Sequence, residues 1–281
     1  SNQVSICEIQ GSGSSSPYEG EDVVVEGVVY ADMDETWRDG FFIQDQDCDD
    51  KNETSDGLFV YLGERIDRVD EGDGVEISGT VKEYYDLTEI STSPVSVTVK
   101  STGNTLPVAV ELAPPFTNTA SKSYFETLEG MRVGMDEAVT VGPTDYDDRT
   151  WVIRGDIGKQ RVFQDDPKGT GEIVLVDDTG LEEITPDVKV GDTILGLSGV
   201  MDYMFDEYRL SLVTAPQATG QPEVSIRRRG YPSTSNYPQF IAATYNLWNL
   251  FDTFNDPDTK DDTLSPTEYQ RRLHKRALAI H

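Results

Sequence analysis

Two small β-barrel domains in series, followed by the opening elements of an α/β domain, are what this 281-residue chain predicts. Three observations carry that reading. Up to about residue 225 the sequence runs in short β-rich stretches broken by Gly, Pro, Asp and Ser, with no helical stripe of 12 residues. The order of those stretches recurs about 120 residues later. After residue 240 the pattern changes to one apolar strand, an Asp-rich loop and an amphipathic helix.

In the first domain, strands are expected at residues 22–31, 40–45, 57–63, 73–84 and 95–100. The alternation is clearest after Gly74, where Val75, Ile77 and Val81 share one face, as in a half-buried strand. Five strands in about 100 residues fit a small closed or half-closed barrel. The second domain repeats the design. Gln44-Asp45 has its counterpart in Gln164-Asp165 and Ser78-Gly79 in Ser198-Gly199, both 120 residues on. Gly72-Asp73 and Gly191-Asp192 each open the following strand, and Tyr84-Tyr85 and Tyr203 follow it. Residues 87–90 resemble 208–212, and Glu19-Gly20 echoes Glu129-Gly130. Between the copies, Ser123 and Glu126 form a capping-box pattern that predicts a short helical turn starting there. The expected domains are 1–105 and 106–222, joined through a linker at 223–239 to a third segment at 240–281. In that segment Ser265-Pro266-Thr267-Glu268 predicts a helix start, and Tyr269, Leu273, Ala277 and Ile280 share one helical face.

Composition narrows the function. Apolar residues make up 36%, enough for packed cores. No run approaches the length of a membrane helix. The chain opens on Ser, without an initiator Met, and is expected to be a mature or trimmed form. His occurs only at 274 and 281, so residues 1–273 hold no Ser-His-Asp triad and no zinc site built on His. The formal charge is −29, and it is uneven: residues 226–281 carry a net +2 and residues 1–225 a net −31. So acidic a surface repels phosphate, and nucleic-acid binding by residues 1–225 is expected to be weak or absent. It suits cations, a saline habitat or plain solubility.

Ala243-Thr-Tyr-Asn-Leu-Trp-Asn-Leu-Phe-Asp252, the Asp-rich loop after it, and Leu264-Ser-Pro-Thr-Glu-Tyr-Gln-Arg-Arg-Leu273 resemble the first strand and helix of the endonuclease/exonuclease/phosphatase domain of bacterial extracellular nucleases. Upstream, the segments at 6–13, 40–45, 54–61 and 128–133 are similar to the OB-fold region that precedes that domain. The resemblance implies tandem OB-like barrels and, in the intact protein, a secreted enzyme that hydrolyses phosphodiesters of DNA or RNA with Mg²⁺ or Mn²⁺. Asn246 matches the Asn that organises metal and phosphate. The Glu, Asp and His partners of that site are expected beyond residue 281, so the chain by itself is expected to be inert, and His274 takes no catalytic role. The rival reading is a non-catalytic, calcium-stabilised module that binds carbohydrate or protein, or acts as a spacer.

Three local features bear on these readings. Asp45, Asp47, Asp49 and Asp56 occupy positions 1, 3, 5 and 12 of a calcium-loop pattern, although Asp50 stands where Gly is usual. The alternative is a solvated acidic loop. Cys7 and Cys48 are the only thiols; an even count in a secreted protein favours a disulfide over two buried free cysteines. Arg227, Arg228 and Arg229 are the one compact basic patch, either a nucleic-acid contact or an anchor for the linker. Of the aromatics Trp37, Phe41, Phe42, Tyr84, Tyr85, Tyr203 and Phe205, most are expected in the core. An apolar strand at 240–250 without sheet partners would be a template for another chain, so a homodimer through residues 240–281 is expected.

Overall fold

A computed structural model describes residues 2–45, 48–49, 53–145, 147–158, 171–178, 184–219 and 265–270, save the side chains of 92–94. The chain divides into two units, Ser1–Gly158 with Gly169–Gln221, and Lys159–Lys168 with Pro222–His281. In the second unit, residues 266–270 are helical. Ser265 Oγ and N both donate to the Glu268 carboxylate, at 2.6 and 3.1 Å, and Glu268 N donates back to Ser265 Oγ. The strand, dimer contact and remaining helix expected at 240–281 lie outside the described residues.

The first unit holds two closed β-barrels. The first comprises β1 (Asn2–Gln3), β2 (Asp22–Met33), β3 (Gly40–Gln44), β4 (Gly57–Tyr61), β5 (Gly74–Tyr84) and β6 (Leu87–Ser101). The sheet runs β1-β2-β3-β4-β6-β5, and β5 pairs back on β2 to close it. The second comprises β7 (Val110–Glu111), β8 (Arg132–Thr140), β9 (Thr150–Arg154), β10 (Val174–Asp177), β11 (Thr193–Met204), β12 (Glu207–Leu212) and β13 (Gln217–Thr219). Here β8-β9-β10-β12-β11 run in the same order and β11 closes on β8. Each barrel contains two parallel pairs: the short edge pairs β1–β2 and β7–β8, and the pairs β4–β6 and β10–β12 that a Greek-key crossing brings together. The mainly β, closed-barrel architecture is the one the sequence predicts, and the strand order is consistent with OB-like barrels.

The 120-residue repeat is also a repeat of hydrogen bonds. Gly72 N donates to Val29 O, and Gly191 N donates to Thr140 O. Both glycines have positive φ, +90° and +87°, which only glycine adopts cheaply. In each copy the next Asp accepts from a backbone N–H three residues earlier: Asp73 from Asp70 N, Asp192 from Lys189 N. These Asp side chains close the turn that feeds β5 and β11.

Alternation along the strands fills each barrel. Val75, Ile77 and Val81 meet Val23, Val25, Phe41, Ile43, Leu58 and Ile90. The short helix α1 (Ile6–Gln10) packs Ile6 and Ile9 into the same cluster. The second interior gathers Val133, Met135, Val152, Val176, Ile194, Leu197 and Leu210. The helix α2 (Asn118–Glu126) adds Phe125. Each such side chain contributes roughly 2 kcal/mol. The capping pattern at Ser123 misplaces this helix: α2 ends at Glu126, because Thr117 takes the N-terminal cap position and the chain turns at Leu128–Gly130.

A third cluster joins the barrels. β2 carries a bulge between Val29 and Ala31, which turns Tyr30 away from the first interior. Tyr30, Met33, Phe42, Phe59 and Leu87 there pack with Val200 and Tyr203 of the second barrel. Tyr30 Oη donates to Gly130 O at 2.5 Å, Ser55 Oγ donates to Glu129 O, and Thr88 N donates to the buried Glu129 carboxyl. Gly130 also has positive φ, +68°, and its backbone lies against Gly57. A Cβ on Gly57 would meet Gly130 O at 1.9 Å.

Gly57→Ala therefore has to push the two backbones apart. Its Tm is expected to fall by about 4–8 °C, the counterpart of about 2 kcal/mol in a domain this size. Gly13→Ala, where an added Cβ meets nothing, is the control and should leave Tm unchanged. Equal Tm values for the two variants would contradict the tight seam.

Candidate functional site

Two places in the first unit carry chemistry. The first is the β3–β4 connection. Cys7, on α1, and Cys48 are disulfide-bonded, with their Cα atoms 5.9 Å apart. The bridge closes a 41-residue separation, worth about 3–4 kcal/mol in the chain-entropy account. A capping box anchors α1, with Ser5 N and Oγ donating to Glu8, and it signals in sequence a helix that periodicity alone misses.

Beside the disulfide, Asp45 N donates to Asp56 O, and Thr54 Oγ1 donates to the Asp49 carboxylate. Burial raises the Asp56 carboxyl to about 6, and the charges of Asp49 and Asp45 act in the same direction. Asp56 Oδ1 is buried and has no hydrogen-bond partner. The structure thus brings Asp45, Asp49 and Asp56 into one electrostatic group, while Asp47 lies outside the described residues. The sulfurs of Cys7 and Cys48 lie within reach of the same carboxylate, but as a disulfide they are not thiolate ligands.

The second place is where the barrels meet. The β2–β3 loop carries Trp37 and Arg38 from the first barrel. Arg38 pairs with Asp202 of β11 at 3.0 Å, with both side chains buried. Asp202 is held within a network: Ser211 Oγ donates to Asp202 and Asp177, and Arg209 pairs with Asp177 at 2.6 Å. Burial pushes the Asp202 carboxyl up, while Arg38 draws it down. The two repeats carry opposite charges here. Lys82 stands across from Glu89 in the first barrel, and Asp202 across from Arg209 in the second.

Around this ion pair lie the β5–β6 turn, with Tyr84 and Tyr85, and the β11–β12 turn, with Phe205. Sequence reasoning assigns most of these aromatics to the core. Phe41, Phe42 and Tyr203 are buried, but Trp37, Tyr84, Tyr85 and Phe205 are 50–79% exposed. They line a cavity of about 520 Å³.

Of the other residues singled out by sequence, Asn246, Gln164-Asp165 and Arg227, Arg228 and Arg229 lie outside the described residues. The disulfide fits an extracellular protein. Among the described residues no helix is long and apolar enough to cross a membrane. A family model described as a domain of unknown function (DUF8508) matches residues 88–222, which is β6 of the first barrel and all of the second. No curated protein matches the chain.

Burial raises Asp32, at the end of β2, to about 7; the neighbouring Asp34 and Asp67 charges add to this, and a hydrogen bond from Asp34 N opposes it. A carboxyl raised in the folded state favours folding below its unfolded value and loses that contribution as pH rises through 7. Asp32→Asn keeps an oxygen acceptor for Asp34 N. Because Asp32 is only half-buried, the gain is discounted to about 1 kcal/mol. The variant should be more stable than the parent at pH 8 and equal to it at pH 4, measured by urea unfolding. A constant difference across that range would rule out the titration.

Proposed function

We propose that this chain is the N-terminal accessory region of a secreted, metal-dependent nuclease, with the two barrels preceding the start of its catalytic domain. One observation carries the reading: two closed barrels of OB-like strand order stand ahead of the 243–252 motif that resembles an endonuclease/exonuclease/phosphatase first strand. The disulfide and the capped helix start at Ser265 are in keeping with it. The barrels act here as a rigid acidic spacer rather than a nucleic-acid clamp, since 1–225 carries a net −31. In the intact enzyme Asn246 orients the phosphate group and its Mg²⁺ or Mn²⁺, and the cation supplies charge neutralisation at the phosphate oxygens.

The purified 281-residue chain is expected to leave plasmid DNA and RNA uncut in Mg²⁺, Mn²⁺ or Ca²⁺. The secreted full-length product that contains it is expected to cut, and to lose at least about a hundredfold in kcat with Asn246→Ala. A full-length product with no phosphodiesterase activity contradicts the reading.

The reading extends to a structural Ca²⁺ at Asp45, Asp47, Asp49 and Asp56. Their hard oxygen donors suit that ion, and the buried Asp56 Oδ1 without a partner supports it. A hundredfold excess of Ca²⁺ over Kd should stabilise the fold by about 2.7 kcal/mol. Asp47→Ala should remove most of that gain, and no Tm response to millimolar Ca²⁺ rejects the site.

A further inference from the structure

We propose that the groove between the barrels is a binding site for a neutral oligosaccharide, stacked on Trp37, Tyr84, Tyr85 and Phe205. This stands independently of the nuclease reading. Among the described residues, the exposed large aromatic side chains are these four and no others, and all four lie on one groove. The cavity of about 520 Å³ adjoins a second of about 370 Å³, and the two share Trp37, Arg38, Tyr84 and Leu87. The second continues onto Phe59 and Tyr61 of β4. The result is an elongated trough sized for several linked rings rather than one small molecule.

The turns that present the rings are costly, and both barrels keep them. Tyr85 and Asp86 have φ of +50° and +66°; Phe205 and Asp206 have +54° and +62°. Two-residue hairpin turns of this type normally hold Asn-Gly, and a bulky side chain at positive φ costs about 1–2 kcal/mol. Tyr85 is 75% exposed and Phe205 79%, so little of that cost is returned by packing within the chain. A ligand that stacks on the rings accounts for their retention in both copies.

Charge selects the ligand class. Arg38 is consumed by Asp202, and Arg209 by Asp177. Lys82 lies over the Tyr84 ring, 5.0 Å from its centre. Asp39, Glu89 and Asp206 line the trough. A phosphate chain would meet three carboxylates, the neutralised Arg38 guanidinium and a single ammonium, Lys82, which stands across from Glu89. A neutral sugar chain instead lays its axial C–H faces on the aromatic rings, and its hydroxyls donate to the carboxylates. An equatorially linked pyranose chain, with apolar faces on both sides of each ring, matches a trough walled by aromatics.

The test is calorimetric titration of the whole chain with cellohexaose and with N-acetylchitohexaose, at low and at molar salt. At least one should bind with submillimolar Kd, nearly unchanged by salt. Tyr85→Asn and Phe205→Asn should each weaken binding by at least about tenfold. Asn tolerates positive φ, so both variants should melt at or above the parent temperature, which separates lost stacking from lost folding. Absence of binding by both sugars overturns the proposal, as does binding that survives both substitutions. Salt-sensitive binding of single-stranded oligothymidine that needs Tyr85 and Phe205, with no sugar binding, would assign the groove to nucleic acid instead.

Discussion

The contact between the backbones of Gly57 and Gly130 sets how the rest of the first unit is arranged. No side chain fits between them, so the start of β4 and the turn ahead of β8 press together directly. That approach carries Glu129 O to Ser55, Gly130 O to Tyr30 and the Glu129 carboxyl to Thr88 N. Burial pushes the Glu129 carboxyl well above its ordinary range, and the hydrogen bond from Thr88 N opposes that shift. Gly130 N in turn donates to Met201 O, which ties the seam to β11 and places Asp202 where Arg38 reaches it.

From this seam the groove follows. Repeating one barrel puts the same hairpin turn on each copy; fusing the copies brings the two turns onto one side. The reversal of charge between the Lys82–Glu89 and Asp202–Arg209 pairs lets the second copy offer an acid to Arg38 of the first. Two buried opposite charges with additional hydrogen bonds fix orientation more than they add stability. Orientation is what a site assembled from two barrels needs.

Much of the fold is legible in the residues. Val75, Ile77 and Val81 lie in the first barrel's interior because period-two alternation reports burial on one face. The Gly-Asp pairs at 72 and 191 locate equivalent turns because the local hydrogen bonds need only those residues. The groove is not legible. A Tyr or Phe at a strand end reads as core from its hydrophobicity, and the exposure of Tyr85 and Phe205 depends on positive φ at a two-residue turn that lacks Asn-Gly. The Arg38–Asp202 pair spans 164 residues, and no local pattern announces it. Nor does periodicity find α1, whose single turn is marked only by its capping box.

If the seam holds, the two barrels form one rigid body. Residual dipolar couplings of backbone amides in β2–β6 and in β8–β12, measured in one alignment medium, report on this without reference to any ligand. A single alignment tensor is expected to fit both sets as well as separate tensors do. Two tensors of different magnitude or orientation would mean that the barrels move independently, and that the seam at Gly57 and Gly130 does not hold them.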